Sequence, residues 1–468
     1  MKIQSVAALR QLPLRTRAVM GANVISSVGT GLVQPFLVLY LTRVRGLPVG
    51  TATAVISVIA VASLLGGLLA GRLADNHSLR GTAAAAMGAA ALGTASFALV
   101  TEVWGAVLAG LVYGLAYGAM LSVWSTAIAR STEGETRSTA FGLQFVGLNA
   151  GVGIGGVLGG LLASTADPAR FQLLYFCDAL SFVLAGAALV LALGRQPKGT
   201  AVAGAEPGSG SRGYGVVLKD RALLKVLALT VVLMVVGYGQ LESSIPGLVA
   251  VGGMDARIMA WAFVANTCCV VLIQFTAVTR ISRSRPAVLL AGTSGSWAGC
   301  WLLLLLATTS DGTAAQATLT IAALAVFAVG EALLAVALPT LVNTLADDRV
   351  RGRYNGAYSA AMSTGVILGP LLGGWLLTGG QPWLLSVVMG AGCLACIGAA
   401  LRWGRPGPPE DGARPAVPLA FEDPAVPDVL EAPAVPGAPG NPTVPGALGN
   451  SDQYLNDDRP QRLGSGGV

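Results

Sequence analysis

Long stretches almost free of charge alternate along the chain with short loops that carry arginine. The apolar stretches fall near 18–41, 51–73, 81–101, 104–129, 138–164, 171–193, 222–250, 257–279, 286–308, 314–345, 354–378 and 383–402. Each is long enough for a helix to cross a hydrocarbon core about 30 Å thick. Apolarity within them is continuous rather than alternating, which rejects the dyad pattern of a membrane barrel. Lipid offers no partner to free backbone groups, so the spans must be helices. The pattern predicts an all-α integral membrane protein with twelve transmembrane helices.

Composition narrows the class further. Charged residues make up 11% of 468, against roughly 25% in an ordinary soluble domain. A soluble enzyme, a secreted disulfide scaffold and a disordered chain are excluded. Glycine is abundant at 63 residues, which suits helices whose backbones approach closely. The net charge of +6 does not point to nucleic acid, because the basic residues sit in short loops rather than along one face. Cys177, Cys268, Cys269, Cys300, Cys393 and Cys396 all lie in apolar stretches, and the chain has one histidine. The spacing Cys393-x-x-Cys396 therefore reads as inert buried thiols, and no metal or cofactor is expected.

Orientation follows from lysine and arginine. With a cytoplasmic N-terminus, the loops on that side hold twenty basic residues, among them Arg72, Arg80, Arg130, Arg137, Arg351 and Arg353. The opposite loops hold four: Arg43, Arg45, Arg170 and Arg257. The positive-inside rule then places both termini in the cytoplasm of a multi-pass plasma-membrane protein. Residues 194–221, rich in Gly, Ser and Ala, read as a flexible cytoplasmic linker between six-helix bundles at 1–193 and 222–402. From 403 to 468 the chain holds 13 of the 24 prolines among interspersed acids, the composition of a disordered cytoplasmic tail.

The two bundles look like repeats. A shift of 214 places Arg137 on Arg351, Gly142 on Gly356, Gly151 on Gly365, Gly155 on Gly369, Gly159 on Gly373 and Gly160 on Gly374. One register shared by six positions suggests a parallel repeat about an axis along the membrane normal.

The segment Gly71-Arg72-Leu73-Ala74-Asp75-Asn76-His77-Ser78-Leu79-Arg80, read as the loop after the second span, resembles the cytoplasmic loop G-x-L-A-D-r-x-G-r-[KR] of the major facilitator superfamily. Gly71, Leu73, Ala74, Asp75 and Arg80 fit; Asn76 and Ser78 depart. A tight turn with one acid and flanking bases can latch two halves in one state, although a solvated turn of mixed charge has the same residues. In the fifth span, Gly151-x-x-x-Gly155-Gly156-x-x-Gly159-Gly160 resembles the family's antiporter motif, with Gly156 where proline is usual. The eleventh span keeps Gly369-Pro370-x-x-Gly373-Gly374. Small residues four apart also form a flat packing stripe, so close packing explains them equally. Tyr238 to Pro246, Gly330-Glu331 and Arg351-Gly352-Arg353-Tyr354 are further resemblances, to bacterial multidrug-type members. The likeness covers about residues 15–402. It implies twelve helices as two six-helix pseudo-repeats, a small-molecule substrate, and export.

A carboxylate at mid-membrane costs several kcal/mol unless paired, hydrated or protonated. Glu331, deep in a charge-free helix, is the first candidate for a proton-coupling residue; a structural glutamate in a helix contact is the other reading. Glu242 and Asp178 are further candidates, both read as nearer the outer ends of their helices, Asp178 more as an interfacial structural acid. The resemblance implies that Glu242 faces a central cavity. Candidate cavity residues are Asn23, Gln34, Tyr113, Tyr117, Gln144, Asn149, Gln240, Asn266 and Gln274. Amides beside aromatic rings suit a moderately apolar organic molecule, and each could instead hold helices together. The expectation is a monomeric proton-coupled exporter of a drug-like or secondary-metabolite compound. The alternatives are an uptake symporter or facilitator for a sugar, peptide or amino acid, and a membrane sensor or scaffold acting through its tail. No nucleotide loop or nucleophile–base set suggests an enzyme.

Overall fold

The structure, a computed structural model, describes residues 12–76, 78–132, 134–165, 167–194, 219–277, 280–281, 284–346 and 351–403. The chain divides into two compact units, Met1–Pro408 and Pro409–Val468, and all described residues belong to the first. The predicted linker core, His77 and the Pro-rich tail lie outside the described residues.

Thirteen helices account for nearly all of the described chain, and no strand occurs among those residues. They are α1 (Leu14–Val44), α2 (Val49–Asn76), α3 (Leu79–Ala98), α4 (Val103–Ser131), α5 (Gly134–Leu162), α6 (Pro168–Leu193), α7 (Arg221–Leu241), α8 (Ser244–Val251), α9 (Ala256–Thr276), α10 (Pro286–Thr309), α11 (Thr313–Leu345), α12 (Arg351–Thr378) and α13 (Pro382–Trp403). With α7 and α8 forming one interrupted rod, these are the twelve rods that the apolar pattern predicts. Among the described residues, nine spans are long and apolar enough on their own to cross a membrane. Of the others, α5 and α9 contain shorter apolar stretches, Val146–Leu162 and Arg257–Ile273. The alanine-rich α3 packs between α4 and α6, so it needs less apolar surface than a lipid-exposed span.

Apolarity marks the hydrocarbon slab and not the end of a helix. Thus α2 runs on to Asn76, and Gly71 to Asn76 occupy its last turns rather than a loop. We call the end where α1 begins the near end and the other the far end. Helix starts are capped by short polar side chains that accept orphan N–H groups: Ser78 from Gly81, Asp167 from Ala169, Asp220 from Ala222 and Leu223, and Asp255 from Arg257. Burial works against the ionised Asp220 carboxylate. The Tyr354 hydroxyl at 2.7 Å and the two N–H groups outweigh it and hold its pKa below the usual value. At the far end, Arg45 donates to the Ala98 carbonyl that closes α3, and Arg43 donates to the Ala250 carbonyl near the end of α8. Two of the four far-end arginines therefore complement helix C-termini.

Neighbour relations repeat between the halves. The contacts α2–α4, α3–α4, α3–α6 and α1–α5 recur as α9–α11, α10–α11, α10–α13 and α7–α12. Glycine stripes set the closest approaches. A methyl group at Gly151 would press on Ser27 at 2.7 Å, and one at Gly155 or Gly159 on the carbonyl oxygen of Val28 or Leu32, so α5 lies directly on α1. In α12, Gly365 and Gly369 meet Met234 and Gly239 of α7, and Gly373 meets Ser244 of α8. The next glycine of each stripe reaches the other half: Gly160 abuts Ala260 of α9, and Gly374 abuts Thr53 of α2. Positions equivalent under the 214-residue shift thus make equivalent contacts across the molecule. Gly156, where the motif usually carries proline, has only the Gly31 carbonyl nearby at 3.9 Å.

Gly155→Ala should therefore destabilise the detergent-solubilised protein by about 1–3 kcal/mol through overpacking, lowering its thermal midpoint. Gly156→Ala should leave the midpoint unchanged; equal effects would refute the stripe geometry.

Candidate functional site

The first rod of each half is irregular on the far-end side of its length. In α1 the ladder passes through a 3₁₀ turn at Gln34–Phe36 and a π turn at Tyr40–Val44. Pro35 lacks the N–H that a regular turn would use. In α7 a π turn occupies Met234–Tyr238, and the rod breaks at Glu242 and Ser243 before α8 resumes with Pro246 inside its first turn. The two breaks face each other. Gln34 Nε2 donates to Glu242 Oε2 at 2.5 Å, joining the halves.

This pair lines a cavity of about 760 Å³. Aromatic rings form much of its deep wall: Phe97, Tyr113, Tyr117, Tyr175 and Tyr238. Tyr113 and Tyr117 stack at 5.9 Å, and Phe97 and Tyr175 at 5.8 Å. Glu242 is the one ionisable acid or base in the described lining. Toward the near end the wall passes through Ser63, Leu68 and Ser122 to Ser359 and Ser363. Leu64, Leu68 and Leu121 line it while 45%, 63% and 41% exposed, so the cavity opens on that side. At the far end, Arg43 bonds the Ala250 carbonyl, Gly247 packs against Leu377, Val49 and Val38, and Ser57 donates to the Ile367 carbonyl at 2.7 Å. These contacts close the cavity there.

Three acids lie within the spans. Asp178 is fully buried, accepting from Thr94 at 2.8 Å and Ser181 at 3.3 Å. It faces α3 inside the first half, where its partner Thr94 lies four residues before the far end of that helix and lines the cavity. Glu242 sits at the rod break. Glu331, half-buried in α11, accepts from Asn266 Nδ2 at 2.7 Å, and Asn266 also donates to the Leu324 carbonyl. Tyr113 and Tyr238 line the cavity together with Glu242. Among the described residues no Lys or Arg pairs with any of the three.

The other candidates divide. Gln34, Tyr113 and Tyr117 line the cavity. Gln240 does not: it is fully buried, and its amide donates to the carbonyls of Val235 and Gly369, stitching the loosened turn of α7 to α12. Asn23 is buried in α1 with its backbone carbonyl taken by Ser26 and Ser27. Gln144 and Asn149 are half-buried on α5, outside that lining. Arg80 is half-buried on the first turn of α3, while the side chains of Gly71, Asp75 and Gln274 lie outside the described residues. Pro370 is inside α12. Cys177 and Cys268 are exposed on the outer surface, contrary to the expectation of burial, while Cys300, Cys393 and Cys396 are buried. Among the described residues no cluster could hold a metal. Sequence reading missed Thr94 and Tyr175. Both were signalled: Tyr175, Asp178 and Phe182 share one helical face, and threonine is a polar group in an alanine-rich span.

Two repeated six-rod halves around a cavity open toward one end define a multi-pass membrane protein. The sequence model of the Major Facilitator Superfamily matches residues 19–315 and 253–436, and the chain belongs to that family. It is 24% identical over 267 residues to the uncharacterized MFS-type transporter YqjV of Bacillus subtilis (strain 168), covering 56% of this chain and 64% of the relative, under two thirds of its length. It is 24% identical over 281 residues to the uncharacterized MFS-type transporter YdeE of Escherichia coli (strain K12), covering 59% of this chain and 69% of that one. Among solved structures, the nucleoside transporter NupG superposes with a TM-score of 0.70 at 14% identity, covering 83% of this chain and 99% of that one. The POT family transporter PepTSo gives 0.65 at 13%, covering 84% and 97%. At these identities the structures establish a shared fold.

In a cysteine-free background, Ser359→Cys at the cavity mouth should react rapidly with a bulky maleimide, and Thr53→Cys, fully buried at the far end, should not. Equal rates would contradict the one-sided opening.

Proposed function

We propose that this protein is a secondary carrier that exports a drug-like or secondary-metabolite molecule in exchange for protons, by alternating access across the plasma membrane. The observation that carries the reading is a set of three intramembrane acids held by amides and hydroxyls rather than by fixed cations, one of them, Glu242, lining a cavity of aliphatic and aromatic side chains. In hydrocarbon, a carboxylate without a basic partner needs a proton as its neutraliser. Loading and unloading of that proton is the natural trigger for switching. Glu331 and Glu242 are the coupling pair, and Asp178 steadies the first half.

Direction rests on two supports. The near-end loops hold most of the basic residues, so the near end faces the cytoplasm and the cavity opens inward. The glycine stripes on α5 and α12 resemble the antiporter motif. The substrate follows from the lining: aromatic walls with one acid suit a moderately apolar organic solute, whereas a phosphate-bearing solute calls for arginines. Uptake of a polar solute is the competing reading, since structures of nucleoside and peptide transporters share the fold. The lack of a cation in the described lining disfavours a carboxylate-bearing peptide. The protein works as a monomer, with Gly71, Asp75 and Arg80 as the cytoplasmic latch.

The test is Glu331→Gln in proteoliposomes, with a fluorescent amphiphilic dye as the transported probe and an imposed pH gradient as the drive. The variant should insert and melt like the parent while gradient-driven dye flux falls to background. Undiminished flux would remove Glu331 from the mechanism.

A further inference from the structure

A second cleft, about 690 Å³, lies on the outer wall of the bundle between α7 and α13, away from the central cavity. Its mouth is set by two cations, Lys225 near the start of α7 and Arg402 at the end of α13. The helices run antiparallel, so both charges sit at the same level, at the near end. From there the cleft continues inward along Ala228 and Val232 on one wall and Ala399 and Ala395 on the other. Seven residues of rise on each helix give it a depth of about 10 Å below the charged level. Alanine makes the room, because a larger side chain at 228, 395 or 399 would fill it. Leu224, Leu394 and Leu401 beside the cleft are exposed, so it opens onto the lipid-facing surface. Neither Lys225 nor Arg402 has an ion-pair partner among the described residues. A smaller cleft of about 310 Å³ lies on the opposite flank of α13, with Arg285 at its own near-end rim.

We propose that the α7–α13 cleft is a binding site for an anionic phospholipid. The headgroup phosphate sits between Lys225 and Arg402, and the upper part of one acyl chain fills the apolar channel below. Two cations at the interface with a hydrophobic slot running inward from them match a lipid's charge above and hydrocarbon below. A free phosphate would leave the slot uncovered. A second copy of the chain meeting this face about a twofold axis would bring like charges together. The site touches the first rod of the second half, which contains the break at Glu242, so bound lipid also braces a rod that must move.

The experiment is native mass spectrometry of the full-length protein released from mixed phosphatidylglycerol–phosphatidylcholine micelles. The parent should retain phosphatidylglycerol in preference. The double variant Lys225→Gln/Arg402→Gln should lower the retained phosphatidylglycerol-to-phosphatidylcholine ratio by roughly thirtyfold, about fivefold for each of two interfacial charges. Ala399→Trp, which fills the channel but keeps both cations, should also lose the bound lipid, while Arg285→Gln should leave most of the preference intact. Thermal midpoints in lipid-free detergent establish that each variant is folded. Equal retention of the two lipids by the parent, or an unchanged ratio in both the double variant and Ala399→Trp, would overturn the assignment.

Discussion

Everything in this molecule answers to the absence of water in the bilayer core. Backbone N–H and C=O groups there must be satisfied by the chain itself, and regular helices achieve this without help. Where the helices depart from regularity, the freed groups need named partners. The loosened turn Met234–Tyr238 is supplied by Gln240, which takes the Val235 carbonyl, and by Trp301, whose indole donates to the Val236 carbonyl at 2.8 Å. The breaks in α1 and α7 are tolerated because they border the cavity and meet one another through Gln34 and Glu242. Irregular backbone and the carboxylate of the cavity lining share one location for this reason.

The same constraint explains how the halves hold together and yet can part. Inside a membrane there is no hydrophobic drive between helices, so association rests on close packing of small residues and a few hydrogen bonds. Within each half, glycine stripes bring α5 onto α1 and α12 onto α7. Between the halves, closure at the far end uses Gly160 against Ala260, Gly374 against Thr53 and a few hydrogen bonds. Small, flat contacts of this kind can be exchanged for an equivalent set elsewhere without dismantling either half.

Much of the architecture was legible in the amino-acid order because continuous apolarity over 20 or more residues is a strong signal. The glycine register was legible too, since backbone approach needs the residue itself. Orientation of side chains within a span was not. Lipid and protein interior are both apolar, so periodicity does not separate them, and Cys177 and Cys268 proved exposed while Cys300 and Cys393 are buried. Gln240 went astray for a different reason. Its partner is a carbonyl released by an irregular turn five residues earlier, which local pattern does not announce. The partner of Asp178 was not legible because Thr94 lies 84 residues away on a span too alanine-rich to draw notice.

The central claim is that the two halves rock about the Gln34–Glu242 junction, exposing the cavity to one end at a time. Pulsed electron–electron distance measurement tests this most directly, with spin labels on exposed sites on or just after α3 and on α10: Leu99, which follows α3, with Thr309 at the far end, and Ala84 with Val288 at the near end. On passing from mildly alkaline to mildly acidic buffer, the far-end distance should lengthen as the near-end distance shortens. Distances that both stay fixed, or that change in the same sense, would contradict the account.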